Sequence, residues 1–259
     1  MPDQRVILIT GASSGIGRTC AISLSNAYPS AAHPEKLVLV LSGRREAELK
    51  ATADACREGT VCEICVGDVV SEEDVGKMFA TVREKYGRLD LLFNNAGVDL
   101  VGGTPLEDVD MSKFRDTLMI NVMGSVLCTA KAIGIMSQQE PKGGRIINNG
   151  SISATSPRPN SAAYTCSKFA IAGLSKSTSL DGRKHNITCT QLDIGNAQTS
   201  MGGHAAKGAR QADGSLKVEP MMDVQNVGDT LVYLAGLPAN VDVLHLSIIA
   251  AGMPIVGRG

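Results

Sequence analysis

The sequence predicts an α/β protein made of one doubly wound parallel sheet, with about seven strands and helices on both faces. Three observations carry that prediction. Short apolar runs alternate with longer amphipathic stretches through most of the 259 residues. Those runs show no in-and-out polar alternation, as expected of strands buried on both faces. The first run also ends directly in a glycine cluster that opens a helix. Repeated β-α units join parallel strands through right-handed crossovers, which puts helices on both faces. No linker, repeat or low-complexity segment interrupts the pattern, so residues 1–259 read as a single domain.

Taken in order, RVILIT (5–10) is a short buried strand, and a helix runs from about Gly15 to Ala27. YPSAAHPEK (28–36), with two prolines, is a loop. LVLVLS (37–42) is the second strand, followed by an amphipathic helix over 45–58, and VCEICV (61–66) is the third strand. Ser71 begins S-E-E-D, a capping box. It opens a helix carrying Val75, Met78, Phe79, Val82 and Tyr86 on one face. LDLLFN (89–94) is the fourth strand, and a long helix, apolar nearly all round, covers 111–139. RIINNGS (145–151), a helix over 162–184 and NITCTQLDI (186–194) follow. Residues 195–222 are polar and glycine-bearing without a period, and read as a long mobile loop over the substrate side. A helix near 224–235 and a strand at 241–249 end the fold.

Composition narrows the function classes. A hydrophobic fraction of 43% excludes a disordered chain. At this size about 70% of the unfolded surface is buried on folding, enough for a core without disulfides or metals. Twenty-five Lys and Arg balance 26 Asp and Glu, with no basic stripe, which argues against nucleic acid. No secretory leader and no run of 18 apolar residues is evident, so the expectation is a soluble cytoplasmic protein away from membranes. Seven scattered cysteines include Cys62 and Cys65, but residues three apart on a strand face opposite ways. They are read as core residues, and no metal site is expected.

The 28 glycines are in excess, and some have an evident use. After the first strand comes Thr10-Gly11-Ala12-Ser13-Ser14-Gly15-Ile16-Gly17, placed where ligands lie in such a sheet. Glycines there let backbone approach a pyrophosphate held at the helix N-terminus. The end of the second strand chooses between cofactors. An NAD site places an acid there, whereas this chain has Ser42-Gly43-Arg44-Arg45. A guanidinium pairs with a 2′-phosphate, and two cations at a helix start are unfavourable without an anion. These residues therefore predict NADPH.

Tyr164 and Lys168 lie four apart and share one helix face. A neighbouring ammonium and a nicotinamide cation both favour the phenolate, and bringing the phenol from about 10 to about 7 takes roughly 4 kcal/mol. Ser151 ends the fifth strand, Asn94-Asn95-Ala96-Gly97 ends the fourth, and Asn121 sits in the long helix.

Together these residues resemble the short-chain dehydrogenase/reductase family over nearly the whole chain. The glycine motif matches Thr10, Gly11, Gly15 and Gly17, N-N-A-G matches 94–97, and D-V matches Asp68-Val69. The family's Asn-Ser-Tyr-Lys tetrad falls on Asn121, Ser151, Tyr164 and Lys168, with its thirteen-residue Ser-to-Tyr step. Its NAD-selecting acid position falls on Gly43 and its NADP-selecting basic position on Arg44. Two departures stand out: Ile194-Gly195 replaces Pro-Gly, and AAGMPIVGRG lacks the Asp-Gly-Gly ending.

The resemblance implies a Rossmann-type fold and hydride transfer between NADPH and a small-molecule carbonyl or alcohol. Tyr164 is then the general acid/base, Ser151 polarises the oxygen, Lys168 holds the ribose, and Asn121 positions a water. Ser13, Ser14, Ile16, Arg45, Asp68, Val69, Asn95, Ala96, Gly97 and Ile194 line the cofactor site, and Thr199 meets the carboxamide. Imine reduction at the same site and a non-catalytic NADPH sensor are the alternatives. A homodimer or homotetramer through helices 111–139 and 162–184 is expected. Of the remaining residues, His204 reads as a solvated loop histidine. Met201, Met221 and Met222 either line an apolar pocket or pack the loop, and Leu100 and Val101 form a further wall. Asn148 and Asn149 read as strand-end hydrogen bonders.

Overall fold

The computed structural model describes residues 4–199 and 208–255. The expectations for Met201 and His204 lie outside these residues. The elements are β1 (Gln4–Thr10), α1 (Gly15–Ala27), β2 (Lys36–Gly43), α2 (Glu46–Asp54), β3 (Val61–Val66), α3 (Glu72–Tyr86) and β4 (Leu91–Asn94). Then come α4 (Met111–Leu118), a π segment (Met119–Met123), α5 (Gly124–Met136), β5 (Gly144–Asn149), α6 (Ala162–Gly182) and β6 (Ile187–Ile194). A small hairpin, β7 (Ala209–Arg210) and β8 (Leu216–Lys217), precedes α7 (Gln225–Gly236) and β9 (His245–Ile248).

Seven strands form one sheet in the order β3-β2-β1-β4-β5-β6-β9. Every pairing in it is parallel. The order reverses between β1 and β4, which opens a crevice beyond their carboxyl ends. Alternate residues of β1 serve two cores. Ile7 and Ile9 pack with Leu24 of α1 and Val227 and Leu231 of α7. Val6 and Leu8 pack with Phe79 and Val82 of α3 and Cys128 and Ala132 of α5. Cys62 faces the first core and Cys65 the second, as strand alternation requires. Cys166, by contrast, is exposed on α6 rather than in the core. Among the described residues no cluster of three or more His, Cys, Asp or Glu could hold a metal.

Several boundaries differ from the sequence expectation, each for a local reason. The α2 helix stops at Asp54 because the Cys56 amide turns back onto the Ala53 carbonyl. The long helix is continuous from Met111 but breaks into a π turn at 119–123 and ends at Met136. Beyond it the buried Gln139 side chain takes over, donating to the carbonyls of Leu89 and Gly143 and accepting from the Leu89 amide. By length and composition this helix, Met111–Met136, could cross a membrane. Its Cys128, Ala132, Ile135 and Met136 pack against the sheet instead. The strand expected at 241–249 is confined to 245–248.

Among its described residues, the loop expected over 195–222 contains regular structure. Residues 209–217 form the β7-β8 hairpin, and Ala197 bridges Met222. The anchor is Glu219, a buried carboxylate that accepts hydrogen bonds from the side chains of Gln211, Asn196 and Arg158. Met222 belongs to the core and not to a pocket wall.

Candidate active site

One cleft of about 990 Å³ runs along the carboxyl ends of the strands, from Gly11 past Asn95 to Ser151 and Tyr164. Its glycine end is shaped by left-handed backbone that side-chain-bearing residues rarely adopt. Gly11 and Gly15 have φ of +66° and +52°. Gly17 lies behind the turn, where an added Cβ would sit 2.4 Å from the Gly11 carbonyl oxygen. Ser13, Ser14, Gly15 and Ile16 line the cleft itself.

Arg45 lies across this loop, with Nη2 donating to Ser13 Oγ and Ser14 Oγ at 2.9 Å each. Its Nη1 is also 3.5 Å from Glu48. Arg44 is 64% exposed and 3.8 Å from the Asp68 carboxylate. Both guanidinium groups, Gly43, Asp68 and Val69 face the same end of the cleft. At Gly43 an added Cβ would have Leu49 Cδ2 at 3.5 Å as its nearest neighbour, so a side chain fits there.

The middle of the cleft is braced by Asn95. Its Nδ2 donates to the carbonyls of Thr10 and Gly11, and Thr10 Oγ1 accepts the amides of Asn95 and Ala96. Asn149 Nδ2 donates to Asn95 Oδ1 at 2.9 Å, tying β5 to the same turn. Asn148 is wholly buried, linking Asn94 to Ser175 of α6. Gly97 and Leu100 line the cleft, while Val101 is buried beside it.

At the far end β5 delivers Ser151 and α6 delivers Tyr164 and Lys168. Lys168 is 6% exposed, and its Nζ lies 5.3 Å from the Tyr164 ring centre. The ammonium donates to the Asn149 carbonyl at 2.7 Å. Burial pushes the Tyr164 phenol up to about 12, against a downward pull from the Ser151 hydroxyl. Burial also pulls Lys168 down to about 8, opposed by the Asp193 carboxylate. The expected fall toward about 7 counts a nicotinamide cation beside the phenol as well as the ammonium, whereas the protein's own groups alone raise it. Desolvation is the largest cause, and the Lys168 ammonium is turned to a strand carbonyl.

Asn121 stands in the π turn, 2% exposed. Its amide exchanges two hydrogen bonds with the Val98 backbone and donates to Ser167 Oγ at 3.0 Å. Ser167 Oγ in turn donates to the Tyr164 carbonyl. The side chain thus links the β4 loop to the helical turn bearing Tyr164. Ile194 and Thr199 line the cleft beyond β6.

Two groups here escaped the sequence pattern. Asp193 lies beneath Ser151, 1% exposed, and Arg158 stands at the substrate side with Glu219. The acid in the apolar run ITCTQLDI was the available signal for the first.

Residues 5–209 match the family described as short chain dehydrogenase. The chain is 35% identical to sepiapterin reductase of Chlorobaculum tepidum over 77% of its length and 80% of that protein's. It is 33% identical to 3beta-hydroxysteroid dehydrogenase of Mediterraneibacter gnavus over 73% of its length, spanning 65% of that protein. Among solved structures it resembles NAD+-bound xylitol dehydrogenase, with a TM-score of 0.82 at 25% identity over 96% of this chain and 100% of that one. It likewise resembles actinorhodin polyketide ketoreductase with NADPH, at 0.81 and 25% over 96% and 97%.

Proposed function

The chain belongs to the short-chain dehydrogenase family, and we propose that within it this oxidoreductase uses NADPH to reduce a small-molecule ketone or aldehyde, with alcohol oxidation as the reverse. The observation that carries the reading is one continuous cleft joining the glycine turn to Ser151, Tyr164 and Lys168.

The residues present fit a nicotinamide dinucleotide. The left-handed turn at Gly11 and Gly15 and the close approach at Gly17 leave room for a pyrophosphate against the N-terminus of α1. Arg45, already on the Ser13 and Ser14 hydroxyls, and Arg44 beside it are placed for a 2′-phosphate, and Gly43 supplies no carboxylate to repel one. Asp68 and Val69 would flank the base, and Asn95, Ala96 and Gly97 the ribose run. Ile194 and Thr199 would meet the carboxamide. When bound, NADPH supplies the hydride.

The chain's own groups handle the proton. Tyr164, held protonated by burial, gives its phenolic proton to the carbonyl oxygen, which Ser151 holds by hydrogen bonding. Lys168, an ammonium at neutral pH, stabilises the phenolate left behind. Exposed Met111, Met119 and Met123 on the α4–α5 helix and Phe169 and Leu180 on α6 support a homodimer or homotetramer built on these helices.

The test is loss of NADPH absorbance against a panel of ketones, aldehydes and cyclic imines. Turnover of carbonyl compounds is expected. Turnover of imines alone moves the substrate class, and tight NADPH binding with no turnover of any compound contradicts the enzyme reading.

A further inference from the structure

Asp193 is the penultimate residue of β6, beneath Ser151 and almost wholly out of water. Its Oδ1 accepts the Ser151 backbone amide at 2.8 Å and the Gln191 amide at 2.9 Å. Its Oδ2 accepts from Gln191 at 3.0 Å and lies 2.8 Å from Nε2 of His245. His245 reaches it because β9 pairs with β6, Gln191 opposite His245. Gly150 makes the arrangement possible, since a Cβ there would lie 2.0 Å from Asp193 Oδ1.

A buried carboxylate is costly unless donors and a cation answer it. The donors are present, His245 Nε2 lies 2.8 Å from the carboxylate, and the Lys168 ammonium sits on the Asn149 carbonyl two residues before Ser151. The charged and titratable groups around this centre are Lys168 and Tyr164 on α6, His245 on β9, Arg158 before α6, and Asp99 after β4. Asp99 and Arg158 act on Tyr164, whereas the opposing attraction felt by Lys168 comes from Asp193.

We propose that Asp193 is a positioning residue of the reducing centre. It fixes Ser151 through the backbone amide and sets a buried negative charge beneath the strand end whose Asn149 carbonyl holds the Lys168 ammonium. The inference rests on the reading of Ser151, Tyr164 and Lys168 as that centre. The two functions separate by substitution. Asp193→Asn keeps an acceptor for the Ser151 amide and removes the charge, whereas Asp193→Ala removes both.

Lys168 is followed by NMR in protein with 13C-labelled lysine and no added cofactor, and kcat and KM are measured across pH. Both variants are expected to lower the Lys168 titration midpoint by about one pH unit. Asp193→Asn moves the alkaline limb of kcat by the same amount at unchanged ketone KM. Asp193→Ala also loses about 10- to 100-fold in kcat through misplacement of Ser151. A parent-like Lys168 titration and pH limb in Asp193→Asn overturns the inference.

Should either variant fail to fold by circular dichroism, Gly150→Ala displaces the carboxylate with Asp193 intact. The same loss in kcat at unchanged NADPH affinity is then expected, and parent-like kcat overturns the inference. A Tyr164→Phe control separates the two levels. Retained turnover there removes the acid assignment, while the Lys168 titration still reads Asp193.

Discussion

At the glycine end of the cleft the groups facing inward are backbone and well-solvated arginines, whereas at the Tyr164 end they are charges taken out of water. Arg44 and Arg45 keep more than half their side chains exposed. Lys168 and Asp193 keep almost none. The difference teaches where each end is sensitive. A solvated guanidinium is worth little to the fold and adjusts to its ligand. A buried ammonium holds its state only through particular neighbours, and its loss changes stability and chemistry together.

Lys168→Met puts the largest strain on this contrast. Turnover is expected to fall about 10²- to 10⁴-fold. The pH dependence of stability follows from the shifts. Lys168 gives up its proton at about 8 when folded, whereas the unfolded chain keeps it to about 10.4. In that window the unfolded state keeps a proton that folded Lys168 has released, so the contribution of this one group to stability rises with pH. Above about 10 the trend reverses, because the unfolded chain loses its tyrosine proton before Tyr164, held at about 12, does. The buried thiols of Cys128 and Cys189, held up to about 12, lower the stability of parent and variant alike as pH rises, so the Lys168 contribution should appear in urea denaturation as a gain of the parent relative to Lys168→Met between about pH 8 and 10.

Gly17→Ala tests the other end through its one rigid contact. The new methyl falls 2.4 Å from the Gly11 carbonyl oxygen and must move the turn. NADPH affinity, read by its fluorescence, should weaken about 10- to 100-fold for a forced shift of about 1–3 kcal/mol. A parent-like dissociation constant removes the pyrophosphate from that turn.

Gly43→Asp is milder because space exists for it. It should swing the kcat/KM ratio of NADPH to NADH by about 10-fold toward NADH, at unchanged melting temperature. Arg44→Ala is the smallest: about a 3-fold rise in the KM for NADPH, none for NADH, shrinking with added salt.

Most of the strand framework was legible because buried parallel strands write continuous apolar runs, such as LVLVLS and RVILIT. Ser151, Tyr164 and Lys168 were legible because strand end and helix face bring them to one cleft end. Asn121 was legible as a residue, but its π turn was not, since periodicity carries no sign of one inserted residue. The Asp193–His245 contact joins residues 52 apart through pairing of the last strand, and nothing local encodes it. The β7-β8 hairpin was hidden similarly. Its anchor is Glu219 with Arg158, 61 residues away, while its own two-residue strands are too short to show a period.

The central claim is that a phenolic proton from Tyr164 completes reduction in the cleft that binds NADPH. Tyr164→Phe keeps the ring and removes that proton. With a ketone that the parent reduces, kcat is predicted to fall at least about 100-fold while NADPH affinity stays within about twofold. Near-parent turnover by the variant would contradict the account.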